Sequence, residues 1–232
     1  MTSTKTAIVR IKFFTLVILL FGNDLNGQWT DYGLWSSASI SQKISENFSY
    51  QAEAQARWDY DFSRLSSTFA DVGISRTLPY FSEDIKVSTT LRLGMSRTDD
   101  FLWEPVRRIS GSTRWKTELS ENLAFSLRLQ YQYVLKDDGF TQAMRLRTAL
   151  RYKVSKDFRA AVYTELFSRQ SDFDWYYSDF RARVVFSAKT SKRRWASFGY
   201  QVEQQKNRPD PWVEHRLICS YDIEIKARKV EK

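Results

Sequence analysis

The stretch from Asn47 to Tyr60, NFSYQAEAQARWDY, alternates apolar and polar residues without a break. Apolar or aromatic side chains occupy every even position from Phe48 onward, and polar side chains occupy every odd position up to Asp59. Successive side chains of a β-strand point to opposite faces, so the pattern predicts a strand with one apolar and one polar face. The stretch is longer than the roughly 5–6 residues of a typical globular strand. It is long enough to cross a bilayer, which takes roughly 9–11 residues.

The apolar face of this stretch is itself ordered by residue type. Phe48 and Tyr50 stand at one end, Trp58 and Tyr60 at the other, and only alanines lie between them. Aromatic rings concentrate at the two membrane–water interfaces of outer-membrane barrels. The stretch therefore predicts a strand that spans an outer membrane.

The same alternation recurs along the rest of the chain, most clearly in Asp84–Arg97 and Leu123–Leu135. Eleven segments can be counted, ten of them between Asn47 and Ile225. Single-chain bacterial barrels have an even number of antiparallel strands. We therefore expect an all-β, antiparallel transmembrane barrel of about ten strands, with twelve as the alternative and Asn47–Tyr60 as the first. Trp29–Ser41 would then be an extra segment that plugs the lumen or pairs at the seam.

The predicted connections also alternate in length. Short ones fall at 42–46, 79–83, 120–122, 155–157 and 190–194, and mostly longer ones near 61–66, 98–107, 136–140, 171–178 and 206–211. Outer-membrane barrels have short periplasmic turns and longer outer loops. The alternation predicts that arrangement here.

The first 27 residues have the features of a secretory signal peptide. Lys5, Arg10 and Lys12 precede the apolar run Phe13–Phe21, which is too short for a transmembrane helix, and small or polar residues follow as far as Gly27. Residues 28–232 are then expected to form one outer-membrane domain. The single cysteine, Cys219, excludes an internal disulfide framework and a cysteine-based metal cluster.

Three stretches resemble a family of bacterial outer-membrane barrels catalogued as domain of unknown function 2490. They are the early "DYGLW", the run "EAQARWDYDFSRLSSTFADVGISRTL", and the Arg-x-Arg strands "RLRTALRY" and "FRARVVF". The resemblance implies a barrel in the outer membrane of a Gram-negative bacterium and implies no activity. The sequence differs from many such barrels in its last residues, because Lys226–Lys232 contains no aromatic residue for the barrel-insertion machinery to recognise.

If the apolar face meets lipid, the polar face lines the lumen. The lumen-facing candidates are Glu53, Arg57, Arg92, Arg114, Glu118, Arg128, Arg145, Arg147, Arg151, Arg159, Arg181, Arg183 and Glu203. Guanidinium groups suit phosphate and carboxylate, so one interpretation is a path or site for a small anionic or lipidic ligand. The other is that arginine and glutamate pair across strands and fill a narrow interior.

No catalytic, cofactor or metal motif stands out in the sequence. The only histidine, His215, shares the parity of the lipid-facing residues, and an outer-membrane lipid hydrolase using it is one alternative. A soluble periplasmic lipocalin-like protein with its apolar face inward is another. The acidic pairs Asp99–Asp100, Asp137–Asp138 and Asp172 with Asp174 lack calcium-loop spacing.

The net charge of +9 is spread over alternating strand positions and forms no basic stripe. This distribution does not indicate nucleic acid as a partner. Outer-membrane lipid and lipopolysaccharide are the expected partners of such a chain. A non-enzymatic structural or transport role is therefore the favoured prediction.

Overall fold

The computed structural model describes residues 29–79, 84–98, 100–136, 139–171, 174–205 and 212–225. They form eleven strands: β1 Trp29–Lys43, β2 Phe48–Asp59, β3 Arg64–Thr77, β4 Ile85–Arg97, β5 Trp103–Ser120, β6 Leu123–Lys136, β7 Gly139–Lys153, β8 Phe158–Ser171, β9 Asp174–Ser191, β10 Arg194–Gln205 and β11 Trp212–Ile225. The predicted signal peptide, the basic tail and the acidic residues Asp99, Asp137, Asp138 and Asp172 lie outside the described residues. Within these residues there is no helix of the length and apolarity that membrane crossing requires.

The eleven strands close into one barrel, and each pairs antiparallel with its neighbours in sequence. The seam is different, because β1 and β11 pair in parallel from Trp29 facing Trp212 to Gln42 facing Ile225. An odd number of alternating strands leaves the first and last pointing the same way, so only a parallel pair can close the sheet. We call the two rims the Asp31 end, where β1 begins, and the Lys43 end, where it stops.

The predicted all-β barrel is confirmed, but the predicted count of ten or twelve strands is wrong for the part of the chain described. The error lies at the seam. Trp29–Ser41 is a full barrel strand that pairs with β2 as well as β11, and Asn47–Tyr60 therefore supplies the second strand. The even-number rule misled because it assumes an antiparallel closure.

The predicted sorting of connections by length is also wrong. At the Lys43 end the connections hold four, seven, two, four and two residues, and at the Asp31 end four, five, two, two and six. Parts of two polar stretches assigned to outer loops, residues 103–107 and 174–178, instead belong to β5 and β9, each of 18 residues. Backbone pairing with β4 and β8 extends these strands although their side chains no longer alternate.

The apolar and polar faces of the strands separate outside from inside. Large apolar side chains on the outer face are exposed, among them Ile74 at 61%, Val72 at 57% and Leu129 at 54%. Polar and charged side chains surround the interior. This orientation is the reverse of the lipocalin-like alternative, in which the apolar face turns inward.

The strand whose phase the sequence left open, β8, has aromatic side chains on its inner face. Tyr163 and Phe167 lie beside arginines of the lumen, and the register with β9 shifts between Phe167 and Ser168. Both the inward rings and the bulge blur the alternation of apolar and polar residues.

Candidate functional site

The lumen contains a cavity of about 980 Å³ bordered by strands β1 to β9 and by β11. Its charged lining is strongly unbalanced, because eleven basic side chains and only two acidic ones, Glu53 and Asp71, border it. The net excess is nine positive charges among the described residues. The basic side chains are Arg57, Lys86, Arg92, Arg108, Arg114, Arg128, Arg145, Arg147, Arg169, Arg181 and Arg183.

Nine of the residues that the sequence predicts to face the lumen border this cavity: Glu53, Arg57, Arg92, Arg114, Arg128, Arg145, Arg147, Arg181 and Arg183. Arg151 lies nearer the Lys43 end, where its Nη1 donates to Ser126 Oγ at 2.8 Å. Glu203 is buried within ion pairs behind the cavity wall. Glu118 is placed differently, exposed at the rim and 3.0 Å from Lys116 Nζ. Arg159 is exposed as well and stacks on Trp195.

Glu165 is the shared ion-pair partner of three arginines on one wall of the lumen. This carboxylate is 1% exposed and contacts the guanidinium groups of Arg145, of Arg147 at 3.4 Å and of Arg181 at 3.2 Å. The strand register makes this possible, because Arg147 and Arg181 stand directly opposite Glu165 on the two neighbouring strands. Buried charges need such partners, since an unpaired one is costly to desolvate.

A second set of buried ion pairs continues from Glu165 toward the seam. Arg181 donates to Glu203 Oε2 from Nη2 at 2.7 Å and from Nε at 3.0 Å. Arg216 bridges Glu203 and Glu214. On the same wall Arg183 donates twice to Gln201 Oε1, at 2.7 and 3.0 Å. This wall therefore corresponds to the structural interpretation, in which charged pairs fill the interior.

The ring of Trp35 on β1 is in contact with four arginines of the lumen. Its ring lies 3.9 Å from the guanidinium carbon of Arg57 and 4.5 Å from that of Arg216. Arg181 and Arg183 also approach it, at 5.0 and 5.7 Å. The face of an aromatic ring attracts cations, so one indole stabilises four arginines that otherwise repel one another.

The opposite wall has one strong ion pair and several basic groups without one. Arg92 makes a fork with Asp71, both bonds measuring 2.6 Å. In contrast, Lys86, Arg114 and Arg128 have no ion pair with any carboxylate of the described strands. Arg108 likewise has none, and its Nε is buried without a hydrogen-bond partner among those residues. Four of the eleven basic groups that border the cavity therefore lie on this wall without an ion pair to a described carboxylate.

Sequence reasoning missed several of the residues that organise the lumen. Glu165 was overlooked because the phase of β8 was uncertain, and Trp35 because β1 was not counted as a barrel strand. Arg216 and Glu214 alternate with His215 and Leu217 on β11, so parity alone could have placed both inside.

His215 lies on the outer face near the Asp31 end. Its Nδ1 shares a hydrogen bond of 2.5 Å with the Tyr200 hydroxyl, and its ring stacks on Tyr32. Its cross-strand neighbours are Tyr32 and Val202, neither of which is the serine that a Ser-His pair requires. The geometry provides no argument for the lipid hydrolase that the sequence left as an alternative.

Carboxylates gather at the Asp31 end of the seam. Asp31, Asp59 and Glu214 each offer an oxygen within 4.8 Å of the others. Asp31 also has a structural task, because it accepts the backbone N–H groups of Tyr60 and Asp61 in the β2–β3 turn, both at 3.1 Å. Tyr60 and Asp61 both have positive φ angles, and the carboxylate holds this unusual turn in place.

These features define a class of protein: a closed β-barrel with an apolar outer face and a polar, basic lumen. The chain belongs to DUF2490, a family described as protein of unknown function, whose sequence profile matches residues 32–214. The family resemblance inferred from the sequence motifs is thereby confirmed. Among proteins with curated descriptions, none matches the chain significantly.

Three solved structures that align with this chain do so with TM-scores below 0.5. The NanC porin aligns with a TM-score of 0.47 at 13% identity, covering 74% of this chain and 86% of the porin. The KdgM porin aligns with a TM-score of 0.46 at 17% identity, covering 75% and 89%. OmpT of Vibrio cholerae aligns with a TM-score of 0.39 at 8% identity, covering 69% and 56%.

Proposed function

We propose that this protein is an outer-membrane barrel that admits small anions and passes them through its basic lumen. The observation that carries the proposal is a cavity of about 980 Å³ bordered by eleven basic and two acidic side chains, with Lys86, Arg114 and Arg128 among the basic groups that have no ion pair in the described strands. A lumen walled by protein focuses the field of its charges and raises the local concentration of ions of opposite sign. Rings of arginine and lysine are the usual device of anion-selective pores.

The outer face supports the membrane part of the proposal. Exposed apolar side chains such as Leu93 at 50% and Phe198 at 53% continue around the barrel. Soluble proteins rarely expose contiguous apolar patches beyond a few hundred Å². Lipid would cover this surface, and a closed barrel satisfies its backbone groups without water. Lipopolysaccharide, outer-membrane phospholipid and the barrel-insertion machinery are the partners that the proposal requires.

The chemistry of the cations favours oxyanions among the possible solutes. Ten of the eleven basic groups in the lining are arginines. The planar guanidinium fork pairs with carboxylate or phosphate through two parallel hydrogen bonds, whereas ammonium acts as a point charge.

Reversal potentials in planar bilayers test the proposal. The full mature chain is reconstituted between chambers of unequal KCl concentration, and the sign of the zero-current voltage reports which ion passes more easily. We expect chloride to be preferred over potassium, and a double substitution of Arg114 and Arg128 by glutamate to reduce that preference. Arg76→Gln is the control, because Arg76 faces Phe48 and Val87 on the outer surface.

The opposite selectivity, with potassium preferred over chloride, would contradict the proposal. A channel without preference whose behaviour is the same in the glutamate variant would contradict it as well. Migration of the barrel before and after boiling, on a denaturing gel, verifies that each variant is folded.

A further inference from the structure

A row of charged side chains runs around the lumen across nine consecutive strands, counting the seam. Each member stands directly opposite the next in the strand register. In order from β4 to β11 and then β1, the members of this charged row are Lys86, Arg114, Arg128, Arg147, Glu165, Arg181, Glu203, Glu214 and Asp31.

The charged row climbs through the barrel from one end to the other. Lys86 is the second residue of β4, close to the Lys43 end, and Asp31 is the third residue of β1, at the opposite rim. Strands of a closed barrel are tilted, so neighbours along the hydrogen-bonding direction form a spiral about the barrel axis. The row is therefore a geometrical consequence of register, although nothing in the register requires it to be charged.

The two halves of the row differ in charge. From Glu165 onward the signs alternate as far as Glu203, and these members form buried salt bridges. Before Glu165 there are four successive cations, Lys86, Arg114, Arg128 and Arg147, which we call the cationic stretch. Only Arg147 has an ion pair within the described residues, and it shares that carboxylate with two other arginines.

Such a stretch is unfavourable in the empty lumen. Directly opposite side chains of an antiparallel pair have their Cβ atoms roughly 4.5–5.5 Å apart, and like charges there destabilise the sheet. The three adjacent pairs Lys86–Arg114, Arg114–Arg128 and Arg128–Arg147 all have this relationship. A bound molecule that supplies negative charge along the stretch would remove the repulsion at each pair.

A row of hydroxyl groups lies next to the cationic stretch and orients it without neutralising it. Ser49 pairs with Ser75 at 2.8 Å, and Ser88 pairs with Ser112 at 2.8 Å. Lys86 Nζ donates to Ser49 Oγ at 2.8 Å. Arg128 Nε donates to Ser112 Oγ at 3.2 Å, which leaves its two terminal nitrogens for another acceptor.

We propose that the cationic stretch is a binding site for an elongated multivalent anion, one that bears several phosphate or carboxylate groups in a chain. The inference rests on the proposed function and names the class of solute that the lumen holds. Four cations on adjacent strands span about 14 Å at the usual interstrand distance of roughly 4.8 Å. A monovalent anion relieves one pair at most, whereas a chain of charged groups relieves all three.

Equilibrium binding tests the site independently of conduction. The folded full mature chain in detergent is titrated calorimetrically with tripolyphosphate, with citrate and with inorganic monophosphate at one ionic strength. We expect tripolyphosphate to bind at least tenfold more tightly than monophosphate, with an affinity that falls as salt is added. Comparison of tripolyphosphate with citrate shows whether phosphate or carboxylate is preferred, and either preference is consistent with the site.

Single substitutions locate the binding. Arg114→Gln and Arg128→Gln should each weaken tripolyphosphate binding by about tenfold or more, since a hydrogen bond to a charged group is lost. The controls are Arg76→Gln on the outer face and Arg159→Gln, an exposed arginine outside the charged row, and both should bind tripolyphosphate as the unmodified protein does. Removing a cation from a repulsive stretch should not impair folding, and heat-dependent gel mobility verifies this.

The inference is overturned if tripolyphosphate binds no more tightly than monophosphate, or if the two row variants bind it as the controls do. This failure is distinct from failure of the proposed function. Chloride selectivity without tripolyphosphate binding would leave the proposed function standing and remove the site. Binding that depends on Arg114 and Arg128 in a barrel without anion preference would support the site and contradict the proposed function.

Discussion

Arg114 and Arg128 face each other across the β5–β6 pair, and both side chains border the lumen cavity. Neither has an ion pair with a carboxylate in the described strands, although Glu165 on β8, two strands from β6, pairs with three arginines. The lumen thus has one wall where most charges are paired and another where Arg92 is paired with Asp71 but Lys86, Arg114 and Arg128 have no ion pair within the described residues. We place the function at the wall where Lys86, Arg114 and Arg128 have no ion pair with a described carboxylate.

Arg128→Gln should stabilise the ligand-free barrel at low salt. Replacing one of two facing cations removes a repulsion of about 0.2–1 kcal/mol per pair, and Arg128 faces Arg114 on one side and Arg147 on the other. Urea unfolding in detergent micelles measures the change. Added NaCl should reduce the difference between the two proteins, because salt screens the repulsion. Arg76→Gln provides the comparison, and a less stable Arg128→Gln variant at low salt would refute the argument.

Glu165→Gln should destabilise the barrel strongly. The amide keeps the shape of the side chain but leaves Arg145, Arg147 and Arg181 without their shared negative charge. Removing one partner of a buried ion pair costs about 3–5 kcal/mol. The same substitution at the exposed Glu118 should change the free energy of unfolding by less than about 0.5 kcal/mol.

A second variant identifies the cause of the Glu165 effect. If uncompensated charge is responsible, adding Arg145→Gln to Glu165→Gln should recover part of the lost stability. A double variant that is less stable than Glu165→Gln would instead indicate that packing of the two side chains dominates.

Trp35→Leu should lower the free energy of unfolding by more than the loss of side-chain volume alone implies. The indole is within 6 Å of four guanidinium groups, and each such contact contributes about 0.5–2 kcal/mol, depending on desolvation. Trp35→Phe keeps a ring face and should lose less. Trp115→Leu, on the outer face, is the matched control in the same unfolding measurement. Equal losses for Trp35→Leu and Trp35→Phe would exclude a cation–ring contribution.

Replacement by alanine should have opposite effects on stability at two glycines of adjacent strands. A Cβ at Gly94 would overlap the carbonyl oxygen of Thr68 and the ring of Phe69, which supports Arg92 and Arg57. A Cβ at Gly111 meets nothing within 4 Å. Gly94→Ala should therefore destabilise the barrel, and Gly111→Ala should stabilise it by about 0.4–1 kcal/mol because the unfolded chain loses freedom. Equal responses in thermal unfolding would contradict the close packing at Gly94.

Cys219 offers a native probe of the membrane boundary. It is the only cysteine of the chain, it is exposed, and it faces the outer residue Phe198. Maleimides react with the thiolate, which does not form in hydrocarbon. In lipid vesicles we expect a water-soluble maleimide to label Cys219 slowly, and in detergent or urea to label it readily. Rapid labelling in intact vesicles would place Cys219 outside the bilayer and weaken the membrane proposal.

Much of the barrel could be predicted from alternation alone. The run from Asn47 to Tyr60 defines a strand because a period of two is the direct consequence of the pleat. The same parity places Arg92, Arg114 and Arg128 inside, since each alternates with apolar residues. Parity was uninformative where lumen positions carry aromatic rings, as at Tyr163 and Phe167, because an arginine-rich interior accepts ring faces as readily as polar groups.

Connections were the least predictable feature. Polar and aromatic residues after Ser171 look like a loop in one dimension, but Trp175, Tyr176 and Tyr177 pair with β8. Backbone hydrogen bonds do not depend on side-chain polarity, so strand extensions beyond the apolar band leave no clear signal. For the same reason, the side-chain pattern did not indicate the full length of β5.

The amphipathic run Asn47–Tyr60 by itself determined that the chain forms long strands with a polar and an apolar face, because alternation is a local property of the backbone. It could not determine that this run is the second strand. That depends on the pairing of Trp29–Lys43 with Trp212–Ile225, two segments at opposite ends of the described chain. This closure sets the register at the seam, and the antiparallel pairings of neighbouring strands set it elsewhere. Register alone brings Arg114, Arg128 and Arg147 side by side and gives Glu165 its three arginines.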